Sequence, residues 1–193
     1  ETASESPAPG GGSISAYMGA LGAALATMVA NLSSHKKGWD DRWKEFSDWA
    51  EKGQRYKDEL VHLVDEDTAA FNRIMEGFSL PKSTDEEKAA RDKVIQDATR
   101  YAIEVPLKVM QTACDSLAVI KAMAETGNPN SVTDAGVAAL CARSAVIGAF
   151  MNVKINASGY KDKAFVRKVL ADGTEIENKA SAFEKEIIEI VTG

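Results

Sequence analysis

The segment LVDEDTAAF, residues 63–71, carries three carboxylates within three consecutive positions. On an α-helix, at about 100° per residue, Leu60, Val64, Phe71, Ile74 and Phe78 share one apolar stripe. Asp67 falls on that stripe, three residues after Val64 and four before Phe71, whereas Asp65 points away and Glu66 lies on the far side. Two surroundings suit an inward Asp67: a lysine or helix end that it pairs with, or a cavity. In a cavity, loss of water penalises the ionised form and raises the pKa, so that the carboxyl can trade a proton near neutrality. That is the requirement for general acid–base catalysis, worth ~10²–10⁴-fold in rate.

A second polar pair lies in GAFMNVKIN, residues 148–156, where Asn152 and Asn156 are four apart and so share a helix face among Ala149, Phe150, Val153 and Ile155. A buried carboxamide needs partners at both its ends. Two together either hydrogen-bond a heterocycle or knit neighbouring helices. A third candidate is PAPGGGSISAY, residues 7–17. Gly10, Gly11 and Gly12 let main chain approach a ligand closely, and the first N–H groups of a following helix lack intrahelical acceptors and suit a carboxylate or a developing negative charge. The same glycines also suit a flexible linker. Lys36 and Lys37 offer an anion site beyond the far end of that helix, or an ordinary solvated turn.

These residues require long helices to hold them. Ser13 reads as the N-cap of a helix reaching about residue 33, with small residues at Ala16, Gly19, Ala20, Ala23, Ala26 and Ala30 that allow other helices to approach closely. Residues 14–32 carry no formal charge and meet the length of a membrane span. Their Ala and Gly content, and acidic rather than basic residues before them, point instead to a buried soluble helix, either the central rod of a bundle or a subunit interface. The pattern predicts further helices over residues 40–77, with a bend at Gly53; 84–126, opened by a Thr84–Glu87 capping box and kinked at Pro106; 133–157, after a second capping-box match at Ser131 and Asp134; and 161–191, with a break near Gly173. Strand and hairpin signals are missing. The expected fold is all-α, an up-and-down bundle of about five long helices, as one domain over residues 1–193 with residues 1–9 a flexible lead-in. The chain opens without Met, so an upstream extension is expected.

Composition narrows the chemistry. A net charge of -6 and a pI near 5.1 argue against a phosphate-tracking nucleic-acid surface. Cys114 and Cys141 are too distant for a CxxC motif and too few for a disulfide framework, which favours a reducing cytoplasm. His35 and His62 are the only histidines and stand in no metal-ligand pattern, and GxSxG, Walker and GxGxxG motifs are missing. Catalysis therefore falls to carboxylates, lysines, amides and backbone groups.

APGGGS before an uncharged Ala-rich helix, LVDED followed by AF, LPKST before EEK, VPL, and GAFMNVKIN occur in an order that resembles the cyclodeaminase/methenyl-tetrahydrofolate cyclohydrolase family. The likeness covers nearly the whole chain and is strongest to the C-terminal cyclodeaminase domain of formiminotransferase-cyclodeaminases. It implies a helical bundle that forms a homodimer or higher oligomer, with folate in a cleft near the subunit contact. It matches Asp67 to the family's catalytic aspartate and Asp65 to the acid two residues before it. It further implies that Gly10, Gly11, Gly12, Ser13, Asn152 and Asn156 line the folate pocket, while Lys36 and Lys37 attract the glutamate tail. The implied reaction is a lyase step of one-carbon metabolism and histidine degradation: 5-formimino-tetrahydrofolate closes to 5,10-methenyl-tetrahydrofolate with loss of ammonia. No metal or prosthetic group is implied, and a glutamate formiminotransferase is expected as a fused or paired partner. The related hydrolase, which adds water to the methenyl bridge to give 10-formyl-tetrahydrofolate, is the alternative, and a noncatalytic helical interaction module is the alternative of another class. Neither nucleic acid nor membrane is an expected partner.

Overall fold

A computed structural model describes residues 2–193 as five long helices: α1 (Gly11–Ser34), α2 (Trp43–Ser79), α3 (Asp85–Thr126), α4 (Val132–Ala157) and α5 (Lys163–Thr192). Short 3₁₀ turns at Asp40–Arg42 and Pro129–Ser131 lead into α2 and α4, and no strand occurs among the described residues. The all-α expectation holds.

Small residues fix how the bundle assembles. On α1, Gly11, Ser15, Gly19 and Gly22 meet Asn152, Gly148, Ala145 and Ala138 on α4, so the two helices run antiparallel. The approach is close enough that a Cβ on Gly22 would stand 2.8 Å from the Ala138 carbonyl oxygen. On the adjacent side, Gly12, Gly19 and Thr27 meet Asp67, Leu60 and Gly53 of α2, again antiparallel. Thus α1 is the central rod, packed on α2, α3 and α4, while α5 covers α3 and α4. Phe46, Leu60, Ile103, Met110 and Phe150 close the core around it. Each such burial contributes about 1.5–3 kcal/mol.

Several local expectations change. Helix α1 starts two residues before Ser13, with extended Gly10 as its N-cap and Ile14 N–H donating to the Gly10 carbonyl. Ser13, freed from capping, is fully buried within the first turn. The Thr84–Glu87 capping box forms as expected, but Ser131 makes no side-chain cap, because it belongs to the 3₁₀ turn that leads the chain directly into α4. Gly173 does not break α5; it sits under the Phe150 ring, where a Cβ would come within 2.8 Å of Cδ2. Gly53 likewise lies inside an unbroken α2, against Thr27. Phe78, placed by phase on the inward stripe, is 52% exposed. With Gly12 level with Asp67, the last turns of α2 extend beyond the start of α1, and Phe78 lies under Arg91 of α3 instead.

Candidate active site

The start of α1 and the middle of α2 converge on Asp67. Ser13 Oγ donates to Asp67 Oδ2 at 2.8 Å, and Thr68 Oγ1 lies 3.3 Å from the same hydroxyl. A Cβ built on Gly12 would stand 2.6 Å from the Asp67 carboxyl carbon, so only glycine lets the carboxylate come this near to the helix start. Burial pushes the Asp67 carboxyl above the usual carboxylate range, and the Ser13 hydroxyl and N–H pull partly against that rise. Among the described residues no lysine or arginine forms an ion pair with Asp67. Asp67 therefore meets a helix end, the first turn of α1 through Ser13, and at the same time lines a cavity.

That cavity measures about 190 Å³. Gly10, Gly11, Gly12, Asp67, Thr68, Asn152 and Asn156 give it a polar wall, and Phe71 and Ile74 of α2 an apolar one. Pro7 and Ala8 also line it, so the lead-in folds over the site, where sequence reading expected a loose segment. Asn152 Nδ2 donates to the Gly148 carbonyl at 3.0 Å, and Asn156 Nδ2 to the Ala102 carbonyl of α3 at 2.7 Å. Both amide nitrogens are thus committed to backbone, Asn152 within α4 and Asn156 across to α3, while both residues line the cavity.

Two expectations fall outside this cluster. Asp65 is exposed and contributes nothing to the cavity wall, as its helical phase indicates. Lys36 and Lys37 lie past the other end of α1, about 35 Å away at 1.5 Å rise per residue, and Lys36 rests 4.0 Å above the Trp39 ring. Within one chain they do not reach Asp67. Conversely, Thr68, Pro7, Ala8 and Ala102 join the site without having been singled out in the sequence. A roomier groove of about 490 Å³ runs between α3 and α5, but its lysines already face acids: Lys108 pairs with Glu59, and Lys179 approaches Asp115. It holds no buried titratable group comparable with Asp67. No group of three His, Cys, Asp or Glu side chains that could hold a metal ion occurs among the described residues.

The family described as formiminotransferase-cyclodeaminase matches residues 1–175. A methenyltetrahydrofolate cyclohydrolase of Methylorubrum extorquens is 38% identical over 98% of this chain and 91% of its own length. A formimidoyltransferase-cyclodeaminase of Mus musculus is 35% identical over 87% of this chain, which spans only 31% of that longer protein. Among solved structures, a formiminotetrahydrofolate cyclodeaminase of Thermotoga maritima superposes with a TM-score of 0.87 at 29% identity, covering all of this chain and 92% of that one.

Proposed function

The chain belongs to the formiminotransferase-cyclodeaminase family, and from that premise we propose that it is a folate enzyme whose Asp67 moves protons at the one-carbon unit between N5 and N10 of tetrahydrofolate. The reading we favour is cyclodeamination of 5-formimino-tetrahydrofolate. N10 attacks the carbon of the protonated (amidinium) formimino group, forming the new C–N bond and leaving an NH₂ on that carbon, and the N10 proton passes to the Asp67 carboxylate. Asp67 then returns the proton to the amino nitrogen, the old C–N bond breaks, and ammonia leaves behind the 5,10-methenyl bridge. One carboxyl with a raised pKa suits both halves of this exchange, since it must accept and donate at similar pH. The observation that carries the reading is Asp67 itself: half-buried, without a cationic partner, and held by Ser13 at a glycine-lined cavity.

The cavity is smaller than the ~300–1,000 Å³ usual for a whole ligand of drug size, so it suits the reacting end of a folate, with the rest of the molecule outside. A second copy of the chain would complete such a cleft. Ile14, Tyr17, Leu21, Met28 and Leu32 form an exposed apolar stripe along α1, and Val137, Leu140, Met151 and Ile155 form another along α4. Helical phase puts both stripes on one side of the antiparallel pair, and Ile14, Met151 and Ile155 bring that face to the cavity. A homodimer through this face is part of the proposal. If its two α1 helices run antiparallel, Lys36 and Lys37 of one copy approach the cavity of the other and meet the glutamate tail. The formimino group would come from a glutamate formiminotransferase, on the same or a separate chain.

The near full-length match to a cyclohydrolase supports a second reading, hydration of the methenyl bridge with Asp67 activating water. Purified protein offered 5-formimino-tetrahydrofolate should generate the near-ultraviolet absorbance of the methenyl product and release ammonia in equal amount. Consumption of 5,10-methenyl-tetrahydrofolate without turnover of the formimino substrate would favour the hydrolase instead, and inactivity on both would end the folate assignment.

A further inference from the structure

The Asn156 carboxamide reaches across to α3 at a position dictated by a proline. In a regular helix the N–H of residue 106 would bond to the carbonyl of residue 102; Pro106 has no N–H, so the Ala102 carbonyl loses its helical donor. Helix α3 nevertheless continues through Pro106, and both Ala102 and Pro106 are buried. Asn156 Nδ2 supplies it, at 2.7 Å. A carbonyl accepts and cannot donate, so this contact admits only the nitrogen of the carboxamide and turns the oxygen the other way. Asn156 Oδ1 accepts no hydrogen bond from the described residues, and Asn156 and Ala102 both line the cavity that holds Asp67.

We propose that Pro106 is a positioning residue: by leaving the Ala102 carbonyl unpaired it fixes the orientation of Asn156 and makes that wall of the cavity an acceptor, selective for a ligand edge that presents N–H donors. Asn152 follows the same polarity, its Nδ2 held by the Gly148 carbonyl and its oxygen left over. With Asp67 and Thr68, the cavity then displays four oxygen-bearing side chains and no cationic one. A reduced heterocycle with ring N–H and amino groups matches that wall, and a carboxylate does not. The orientation of Asn156 stands on the geometry alone, while the choice of a tetrahydrofolate as ligand rests on the function proposed above.

The test is Pro106→Ala, which gives the Ala102 carbonyl a helical donor and releases Asn156. In unliganded wild-type protein the Asn156 side-chain NH₂ should show slowed solvent exchange by NMR, and Pro106→Ala should remove that protection while Tm stays equal or rises, since a mid-helix proline is lost. Tetrahydrofolate should then bind about tenfold more weakly, through the loss of one oriented acceptor, with kcat less affected than KM. Asn156→Asp supplies the cross-check. In the Pro106 background its oxygens face the Ala102 carbonyl with no donor between them and binding collapses; in Pro106→Ala the same aspartate should recover affinity, because the carbonyl is already satisfied. Unchanged NH₂ exchange in Pro106→Ala, or an equal penalty for Asn156→Asp in both backgrounds, would overturn the proposal. Wild-type protein that fails to bind tetrahydrofolate removes the folate reading but leaves the exchange measurement to decide the role of Pro106.

Discussion

Gly12 and Asp67 meet across the α1–α2 contact with no room for a methyl group between them. Backbone and carboxylate are thus neighbours because one residue has no side chain, and the first-turn donors of α1 gain an acidic partner that packing, rather than a counter-charge, holds in place. Gly12→Ala should push the carboxylate out of register with Ser13. The expected result is an activity loss of about 100-fold or more, from misplacement of the reacting group by an ångström or so, with the helical circular dichroism signal retained. Full activity in Gly12→Ala would mean that this approach does not matter to the chemistry.

Asp67→Asn removes the proton carrier and keeps the shape. Turnover should fall by ~10²–10⁴-fold, whereas Asp65→Asn, at an exposed position, should stay near wild type. Equal effects of the two substitutions would contradict the assignment of the proton shuttle to Asp67. Stability should move the opposite way. Because burial raises the folded-state pKa of Asp67, the folded protein holds this proton more tightly than the unfolded chain does, so stability falls as pH rises from the unfolded carboxylate range through the folded value. Above that window Asp67→Asn relieves the cost of a desolvated charge and should raise Tm, by about 2–4 °C for each kcal/mol relieved, and below it the difference should vanish. Paired melting curves at pH 3 and pH 8 would measure this.

Ser13→Ala isolates the counterweight. The Ser13 hydroxyl favours the ionised carboxylate, so its loss should raise the Asp67 pKa further and move the acidic limb of kcat/KM to higher pH. Thr68 Oγ1, already near that hydroxyl, remains close to the site in the variant. A profile of unchanged position and reduced height would instead assign Ser13 a packing role only.

The helices and the inward carboxylate were legible in the sequence because both follow from a period of 3.6 residues, which a single chain displays without knowledge of its neighbours. Asp67 stood out against Val64 and Phe71 for that reason, and Asp65 was separable from it by phase alone. What escaped depends on contacts between helices. Gly173 looks like a helix breaker until Phe150 is seen to rest on it, and Phe78 looks like core until α1 is found to start too late to cover it. Ser13 has the chemistry of a cap, yet glycines before it let the helix begin earlier and turn its hydroxyl to Asp67. The position of Pro106 inside α3 was legible, but its consequence at Ala102 required the position of Asn156, 54 residues away in sequence. Likewise the distance of Lys36 and Lys37 from Asp67 within one chain follows from α1 being one continuous helix, with the glycine loop and the lysines at opposite ends.

The exposed stripes of α1 and α4 make the last prediction. Leu21 is 39% and Leu140 is 48% exposed, both belong to these stripes, and neither lines the Asp67 cavity. Burying this face against a second copy would remove apolar surface that is otherwise in water, at about 25 cal/mol per Å². A lysine at the centre of such an interface would be desolvated without a partner, so Leu21→Lys combined with Leu140→Lys should shift the protein from dimer to monomer in sedimentation at micromolar concentration. If the cleft needs both copies, KM for a polyglutamated folate should rise as the dimer is lost, and Lys36→Ala with Lys37→Ala should raise it without dissociating the dimer. A wild-type chain that sediments as a monomer at the same concentration would refute the interface, and the glutamate tail would then have to be held by residues other than this lysine pair.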